Sequence, residues 1–263
     1  MLQEIEPCAF ESVLPLISHE PPGFMMALPI LKRIRLGRVF VDDVKKPNCA
    51  LVLSSSGWHA ALGSFETKDL PQITELVFGA GGLVDNDFYS IRVSRLAWVG
   101  REMELRAPSA GKLLEREMRV LKASRENLPP LVSDHRIQEL DEEGYLQASK
   151  FIPMLPVYWP ESSKLLGKGM TKAFIEEGRV RGVCYSCCQA GDLHEPHIAI
   201  DEPFRGQGIG KLITQAYTRS LLEENRRIFW SHYTDNGISG KCAKTAGYLP
   251  YGSVKVLQYI EKK

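Results

Sequence analysis

The stretch from Ile198 to Lys211 constrains this chain more than any other. Ile198, Ala199 and Ile200 lead through a turn containing Gly206, Gly208 and Gly210 into a segment whose apolar residues recur at helical spacing: Leu212, Ile213, Ala216, Leu221 and Leu222. The pattern predicts a strand that enters an amphipathic helix, Ile209 to Glu224, through a glycine turn. The first turn of a helix carries N–H groups with no intrahelical acceptor, and the helix dipole adds partial positive charge there. Glycines let those amides converge on a phosphate or pyrophosphate, because no Cβ holds the anion away. Arg205 and Lys211 add formal charge beside them. The spacing is neither that of a P-loop, which needs Gly-Lys followed by Ser or Thr, nor that of a G-x-G-x-x-G dinucleotide fingerprint. Nucleoside triphosphate and nicotinamide readings weaken accordingly.

Around this turn the chain reads as mixed α/β. Before it come strands at Met170–Glu176 and Val180–Gln189, joined by a Glu177–Gly178 turn, and a third at His197–Ile200. After the helix come a strand at Arg227–Tyr233, a short helix at Ile238–Thr245 ended by Gly247, and a last strand at Val254–Glu261. Further upstream, Leu131–Leu140 reads as a strand and Glu139–Ser149 turns helical. Pro153, Pro156 and Pro160 interrupt any regular element between Phe151 and Trp159, and Glu161–Leu166 reads as a short helix. Asn127–Leu128–Pro129–Pro130 punctuates the chain and sets the expected boundary: an N-terminal α/β domain over 1–128 and a second domain over 129–263. In the first, a helical stretch runs from Phe24 to Arg35, and strands are expected at Gly37–Val44, Ala50–Ser54 and Trp58–Ser64. A helix follows at Leu70–Phe78, broken by Gly79–Gly82, then a strand at Asp87–Trp98 and a helix at Leu113–Arg125.

Composition narrows the class. With 33 Lys+Arg against 32 Asp+Glu in 263 residues, charge gives no reason to expect nucleic acid or a membrane surface as partner. No apolar run approaches the roughly 18 residues of a membrane span, and Met1–Phe10 has no signal-peptide pattern, so a cytoplasmic protein is expected. Six cysteines in such a chain read as reduced thiols. Cys184, Cys187 and Cys188, followed by His194 and His197, lack a second C-x-x-C pair, and adjacent strand residues face opposite sides, so no metal site is expected. Ser231–His232 with Asp235 fails as a catalytic triad for the same geometric reason. Trp58, Trp98 and Trp159 read first as core residues.

Arg205–Gly206–Gln207–Gly208–Ile209–Gly210 is similar to the R/Q-x-x-G-x-G/A signature of the GNAT superfamily of acyl-CoA-dependent N-acyltransferases. Phe204 precedes the arginine, and Asn236, a short helix and Ala246–Gly247–Tyr248 follow in that family's order. The resemblance covers roughly residues 131–263. Val39–Asp43 with Pro47 resembles a branch in which an extra α/β half precedes the acyltransferase domain as a degenerate copy of the same fold, and the resemblance makes Trp159, beside Tyr158 and the prolines, an acceptor-site candidate.

The resemblance implies a twisted mixed sheet flanked by helices, with acetyl-CoA as co-substrate and a primary amine, of a small molecule, as acceptor. Its arm would lie along Ile198, Ala199 and Ile200. Its pyrophosphate would lie on Arg205, Gly206, Gln207, Gly208, Ile209, Gly210 and Lys211, and Asn236 and Ser239 would touch the arm near the thioester. Direct attack needs a base to take the ammonium proton and a donor for the oxyanion, and benefits from an acid for the thiolate. His197 is the first choice of base, with Glu195 and His194 beside it. The family's usual tyrosine acid is replaced by Ala243, leaving Cys242, Tyr248, Tyr233, Tyr251 or His232 as substitutes, or no acid. A non-catalytic acyl-CoA-binding module, a longer-chain acyltransferase and a homodimer all stay open.

Overall fold

The computed structural model describes residues 1–18, 25–78, 88–93, 111–130 and 134–261. They divide into two compact units: Met1–Arg119 with Gly252–Lys263, and Val120–Tyr251. A single cut after residue 128 differs from this grouping chiefly at the C-terminus, which returns to the first unit.

In the first unit the strands are β1 (Gln3–Glu4), β2 (Gly37–Val41), β3 (Cys49–Ser54), β4 (Trp58–Gly63) and β5 (Phe88–Val93), with helices α1 (Leu14–Ser18), α2 (Leu28–Leu31) and α3 (Leu70–Phe78). β2, β3 and β4 form an antiparallel meander, and β5 returns parallel to β4 after α3. The β2–β3 loop is held by its acids. The Asp42 carboxylate accepts the N–H groups of Asn48 and Cys49, and that of Asp43 accepts those of Lys45 and Lys46. Leu51, Leu53, Leu70 and Ile73 lie in this unit's core.

Strand β6 (Gly111–Ala123) leads into the second unit. There follow β7 (Ile137–Gln138), α4 (Glu142–Ser149), α5 (Met154–Tyr158), β8 (Thr171–Glu176), β9 (Arg179–Ala190), β10 (Leu193–Ile200), α6 (Ile209–Glu223), β11 (Arg227–Tyr233), α7 (Gly237–Thr245) and β12 (Tyr248–Glu261). β8, β9 and β10 are again an antiparallel meander, and β11 again returns parallel to β10 after a helix. The two units thus repeat one order of elements with the same pairing senses. Their closing strands are exchanged along the chain: β12 pairs antiparallel with β5 in the first unit, and β6 lies beside β11 in the second.

Several expectations are corrected. Leu113–Arg125 is strand, not helix. Its Leu, Glu, Arg, Met and Lys are good helix formers, but Glu115, Glu117 and Arg119 are exposed while Met118 and Val120 are buried, a period of two that tertiary pairing selects over propensity. Of Phe24–Arg35 only Leu28–Leu31 is helical, and of Leu131–Leu140 only Ile137–Gln138 is strand among the described residues. Prolines do not prevent a helix at Met154–Tyr158: Pro153 is its N-cap and Pro156 falls in its first turn, where no intrahelical N–H is needed. The Gly79–Gly82 break, the end of the Asp87–Trp98 strand and Trp98 itself lie outside the described residues. The Glu177–Gly178 hairpin turn has both residues at positive φ, 52° and 71°, as a type I′ turn requires.

Apolar residues of α6 (Ile213, Tyr217, Leu221) and of β11 (Ile228, Trp230) form the second core with Ala243, Ala246 and Tyr248. Gly247 ends α7 at φ 89°, and a Cβ there would collide with the Asn127 carbonyl. Gly247→Ala is therefore expected to lower unfolding free energy by about 2–4 kcal/mol, from left-handed strain plus the overlap, in a urea titration. A loss within error of zero overturns this account.

Candidate acyl-CoA site

The site begins where two parallel strands stop pairing. β10 pairs with β11 only at Leu193↔Arg227 and His194↔Ile228. Beyond that point β10 continues to Ile200 and β11 to Tyr233 without further register partners. The ladder to β9 shifts at Glu195/Pro196, so that Cys187 is the unmatched residue, and Pro196 has no N–H to offer. The bulge re-aims β10 while its other edge stays paired to β9 down to Ile200↔Gly182. The result is a strand with one free edge, 196–200, that ends at the glycine turn.

At the turn, Gly206 and Gly208 have φ of 79° and 83°, and Gly208 is the N-cap of α6. A Cβ on either would meet nothing within 4 Å, so the demand for glycine comes from backbone conformation and the space is open. The first α6 bond is Leu212 N–H to the Gly208 carbonyl at 3.3 Å, and the N–H groups of Gly206 through Lys211 have no protein acceptor among the described residues. Six successive amides and a 15-residue helix thus face open space beside a free strand edge. The turn is braced from behind: Arg205 Nε donates to the Ile200 carbonyl and Gln207 Nε2 to that of Pro203. Arg181 stacks over Phe204 at 4.2 Å. Lys211 is exposed on the first turn, and Ile209 anchors that turn in the core. A Cβ on Gly210 would meet Ile198, Ile200 and Cys242 at 3.4–3.9 Å, ordinary packing. Arg205 to Lys211 and Ile198 to Ile200 are thus brought together at one end of the sheet.

Asn236 caps α7, its Oδ1 accepting the Ser239 N–H, and the Ser239 hydroxyl accepts from Trp230 Nε1 at 3.0 Å. Both residues have structural duties, and both lie at the α7 end that follows β11.

The candidate catalytic groups divide. His194 is fully buried, with Nδ1 against the Ser186 hydroxyl at 2.9 Å and that hydroxyl against Tyr217 OH at 2.7 Å. It belongs to the α6 side of the sheet. His197 points to the other face, its ring 5.3 Å from that of Tyr185 and 6.5 Å from that of Tyr158. Its Nδ1 is shielded from solvent and has no partner among the described residues. Burial pushes the imidazoles of both His194 and His197 down to about 4, so both are neutral near pH 7. Glu195 is buried on the same face as His197.

Cys242 is wedged between α6 and α7, with Sγ 3.4 Å from Thr214 Oγ1, and burial raises its pKa, so it is a protonated thiol. Ala243 is fully buried in the core. Tyr248 is enclosed there too: Thr218 donates to its hydroxyl, Trp230 packs edge-on at 5.5 Å, and burial drives its pKa well up. It closes the core rather than facing the free edge. His232 Nδ1 donates to the Tyr233 carbonyl, so Ser231, His232 and Asp235 form no triad. Trp159 is an anchor: Nε1 donates to the Ser186 carbonyl and its own carbonyl accepts from Tyr145 OH. Ser231, passed over as a triad member, has a shielded hydroxyl with no partner among the described residues. Its place depends on strand register, which no local sequence signal carries. Among the described residues no three His, Cys, Asp or Glu converge as metal ligands, and no helix is long and apolar enough to cross a membrane.

The first unit shows what the site lacks elsewhere. β4 and β5 stay paired over four positions, Trp58↔Ser90 to Ala61↔Val93. The connection into α3 uses a capping box, Glu66 and Asp69, whose carboxylates accept the N–H groups there.

No known protein-family profile matches this chain, and no curated protein matches it. Solved structures do. A GCN5-related N-acetyltransferase-like protein from Streptococcus suis 89/1591 superposes with TM-score 0.69 at 17% identity, over 95% of this chain and 98% of the other. A GCN5-related N-acetyltransferase from Sphaerobacter thermophilus gives TM-score 0.64 at 11% identity, over 100% and 96%. A tandem GNAT protein from the clavulanic acid biosynthesis pathway gives 0.59 at 10%, over 98% of each chain.

Burial holds the imidazoles of His59, His194 and His197 down to about 4, and each contributes to the loss of stability in acid. Above their ordinary value of ~6.5 folded and unfolded states are both neutral. Below it the unfolded chain takes up protons that the folded chain refuses until about pH 4, so stability falls as pH falls through this window. The urea midpoint is expected to be lower at about pH 5 than at about pH 7.5. Equal midpoints overturn the reading.

Proposed function

We propose that this chain, whose fold is that of the GCN5-related N-acetyltransferases, is an acyl-CoA-dependent N-acyltransferase that moves an acetyl group from acetyl-CoA to a primary amine of a small molecule. The observation that carries the reading is the row of unpaired amides from Gly206 to Lys211 at the N-terminus of α6, lying at the end of the free edge of β10. An anionic pyrophosphate fits the amides and the helix dipole, and an amide-bearing arm fits the edge, because both supply partners for backbone groups the chain leaves open.

In this reading Arg205, Gly206, Gln207, Gly208, Ile209, Gly210 and Lys211 hold the pyrophosphate, and Ile198, Ala199 and Ile200 pair with the arm. Asn236 and Ser239 stand near the thioester. The bound thioester supplies an activated acyl carbon; a β10 N–H stabilises the charge that develops on its oxygen. His197 is the group for the amine proton, since it is neutral and carries a shielded ring nitrogen free to accept. Cys242 remains the candidate acid, as the protonated thiol nearest the turn. Ala243, buried where the family has tyrosine, supports a second reading: a non-catalytic acyl-CoA-binding module. A longer acyl chain is a third.

Calorimetry with acetyl-CoA, coenzyme A and ATP separates them. Saturable binding of the first two at one site per chain, without ATP binding, is expected, since the first unit's equivalent connection is capped and acidic. Absence of binding by folded protein removes the reading, and binding without turnover of any amine favours the module. Gly208→Val is expected to weaken acetyl-CoA at least about tenfold, worth ~1.4 kcal/mol, with thermal unfolding reported alongside because φ is positive there. Unchanged affinity in a folded variant overturns the amide cradle.

A further inference from the structure

Two shielded polar atoms without partners face the same gap. The parallel register of β10 and β11, Leu193↔Arg227 and His194↔Ile228, carried forward sets His197 opposite Ser231. The strands no longer pair there, so the two residues flank the opening. Ile198 and Ile200 on β10, and Ile228 and Trp230 on β11, face the α6 core. Alternation therefore turns His197 and Ser231 to the opposite face together. His197 Nδ1 and Ser231 Oγ are both hidden from solvent with no hydrogen-bond partner among the described residues. Buried polar atoms are almost always paired, so two orphans across one gap mark a place where a ligand completes the bonding.

The surroundings define what that ligand is. Tyr185 lies wholly buried and Tyr158 nearly so, and both rings pack against His197. Two residues before Ser231, Phe229 packs against Tyr251, and Lys122 lies 5.8 Å and 5.7 Å from their rings on this face. Glu195 lies buried on the same face by alternation, and it is engaged in an interaction of its own. An alkylammonium here meets a neutral imidazole and a hydroxyl, with the Lys122 ammonium on the same face.

We propose that His197 and Ser231 hold the reacting nitrogen of the acceptor, and that the site takes a weakly basic amine, such as an arylamine or an alkoxyamine, bound as its uncharged base. The inference rests on the acyltransferase reading. Ser231 Oγ donates to the nitrogen lone pair or accepts from its N–H as the amine docks, and His197 Nδ1 accepts an N–H. The lone pair forms the C–N bond to the thioester carbonyl, the C–S bond breaks, and the sulfur leaves as thiolate. The nitrogen's proton passes to His197 and on to the thiolate or water. The products are the amide and the free thiol of coenzyme A.

The test uses the full chain, acetyl-CoA and three probes near neutral pH: aniline, O-benzylhydroxylamine and the strongly basic benzylamine, with the amide products measured by mass spectrometry. Aniline and O-benzylhydroxylamine are expected to be acetylated with kcat/KM about tenfold or more above benzylamine. Ser231→Ala is expected to raise KM for aniline by about tenfold while leaving acetyl-CoA affinity and melting temperature unchanged. His197→Asn is expected to lower kcat with acetyl-CoA affinity kept. Preference for benzylamine overturns the proposal. So does an unchanged KM in Ser231→Ala, or no turnover of any probe by protein that binds acetyl-CoA. Failure to bind acetyl-CoA at all is a different result: it removes the acyltransferase reading on which the proposal stands.

Discussion

The separation of β10 from β11 after His194 is the constraint on which the rest of the second unit depends. Two parallel strands that paired to their ends would satisfy each other's backbone and leave nothing for a ligand. Here the bulge against β9 and the missing amide of Pro196 release one edge while the other stays pinned. Unpaired backbone is tolerable only where solvent or a ligand can reach it. The same release exposes the start of α6, since β10 delivers the chain to the glycine turn at the wide end of the gap. Strand edge, amide row and helix dipole therefore meet at one end of the sheet.

The comparison within the chain sharpens this. Both units run meander, helix, parallel strand. They differ at one connection and one pairing: Gly206 to Lys211 against Glu66 to Asp69, and two register pairs against four. The core of a fold is maintained by burial, which both units have. The site is maintained by the groups a fold leaves unmatched, which the Gly206–Lys211 connection shows among the described residues and the Glu66–Asp69 connection does not. Likeness of fold and capacity for chemistry are therefore separable even inside one polypeptide.

Much of the second unit is legible in the sequence because local signals agree with tertiary ones. Gly208 at positive φ, the apolar spacing of α6 and the Glu177–Gly178 turn each say locally what the fold needs. β6 is illegible because its residue types favour helix and only its neighbours reveal the period of two. Asn236 is legible by position, yet its capping bond to Ser239 appears only with α7 in place. Tyr248 reads first as the closing core aromatic and second as an acid, and it is enclosed by Trp230 and Thr218. Ser231 is least legible: its meaning comes from a register set four residues earlier on another strand. Composition carries none of these distinctions.

The exchanged closing strands have a consequence for how the protein comes into being. β5 waits for β12, far along the chain, before its second edge is paired. The first half of the chain therefore leaves the ribosome with an open parallel strand, and its sheet closes only when the C-terminal strand arrives. Contacts between such distant segments form slowly, because the intervening chain must be ordered first. A nascent edge of this kind invites pairing with a second chain in the interval. The site-bearing half, by contrast, receives β6 before any of its other strands exists, and can assemble around it as synthesis proceeds.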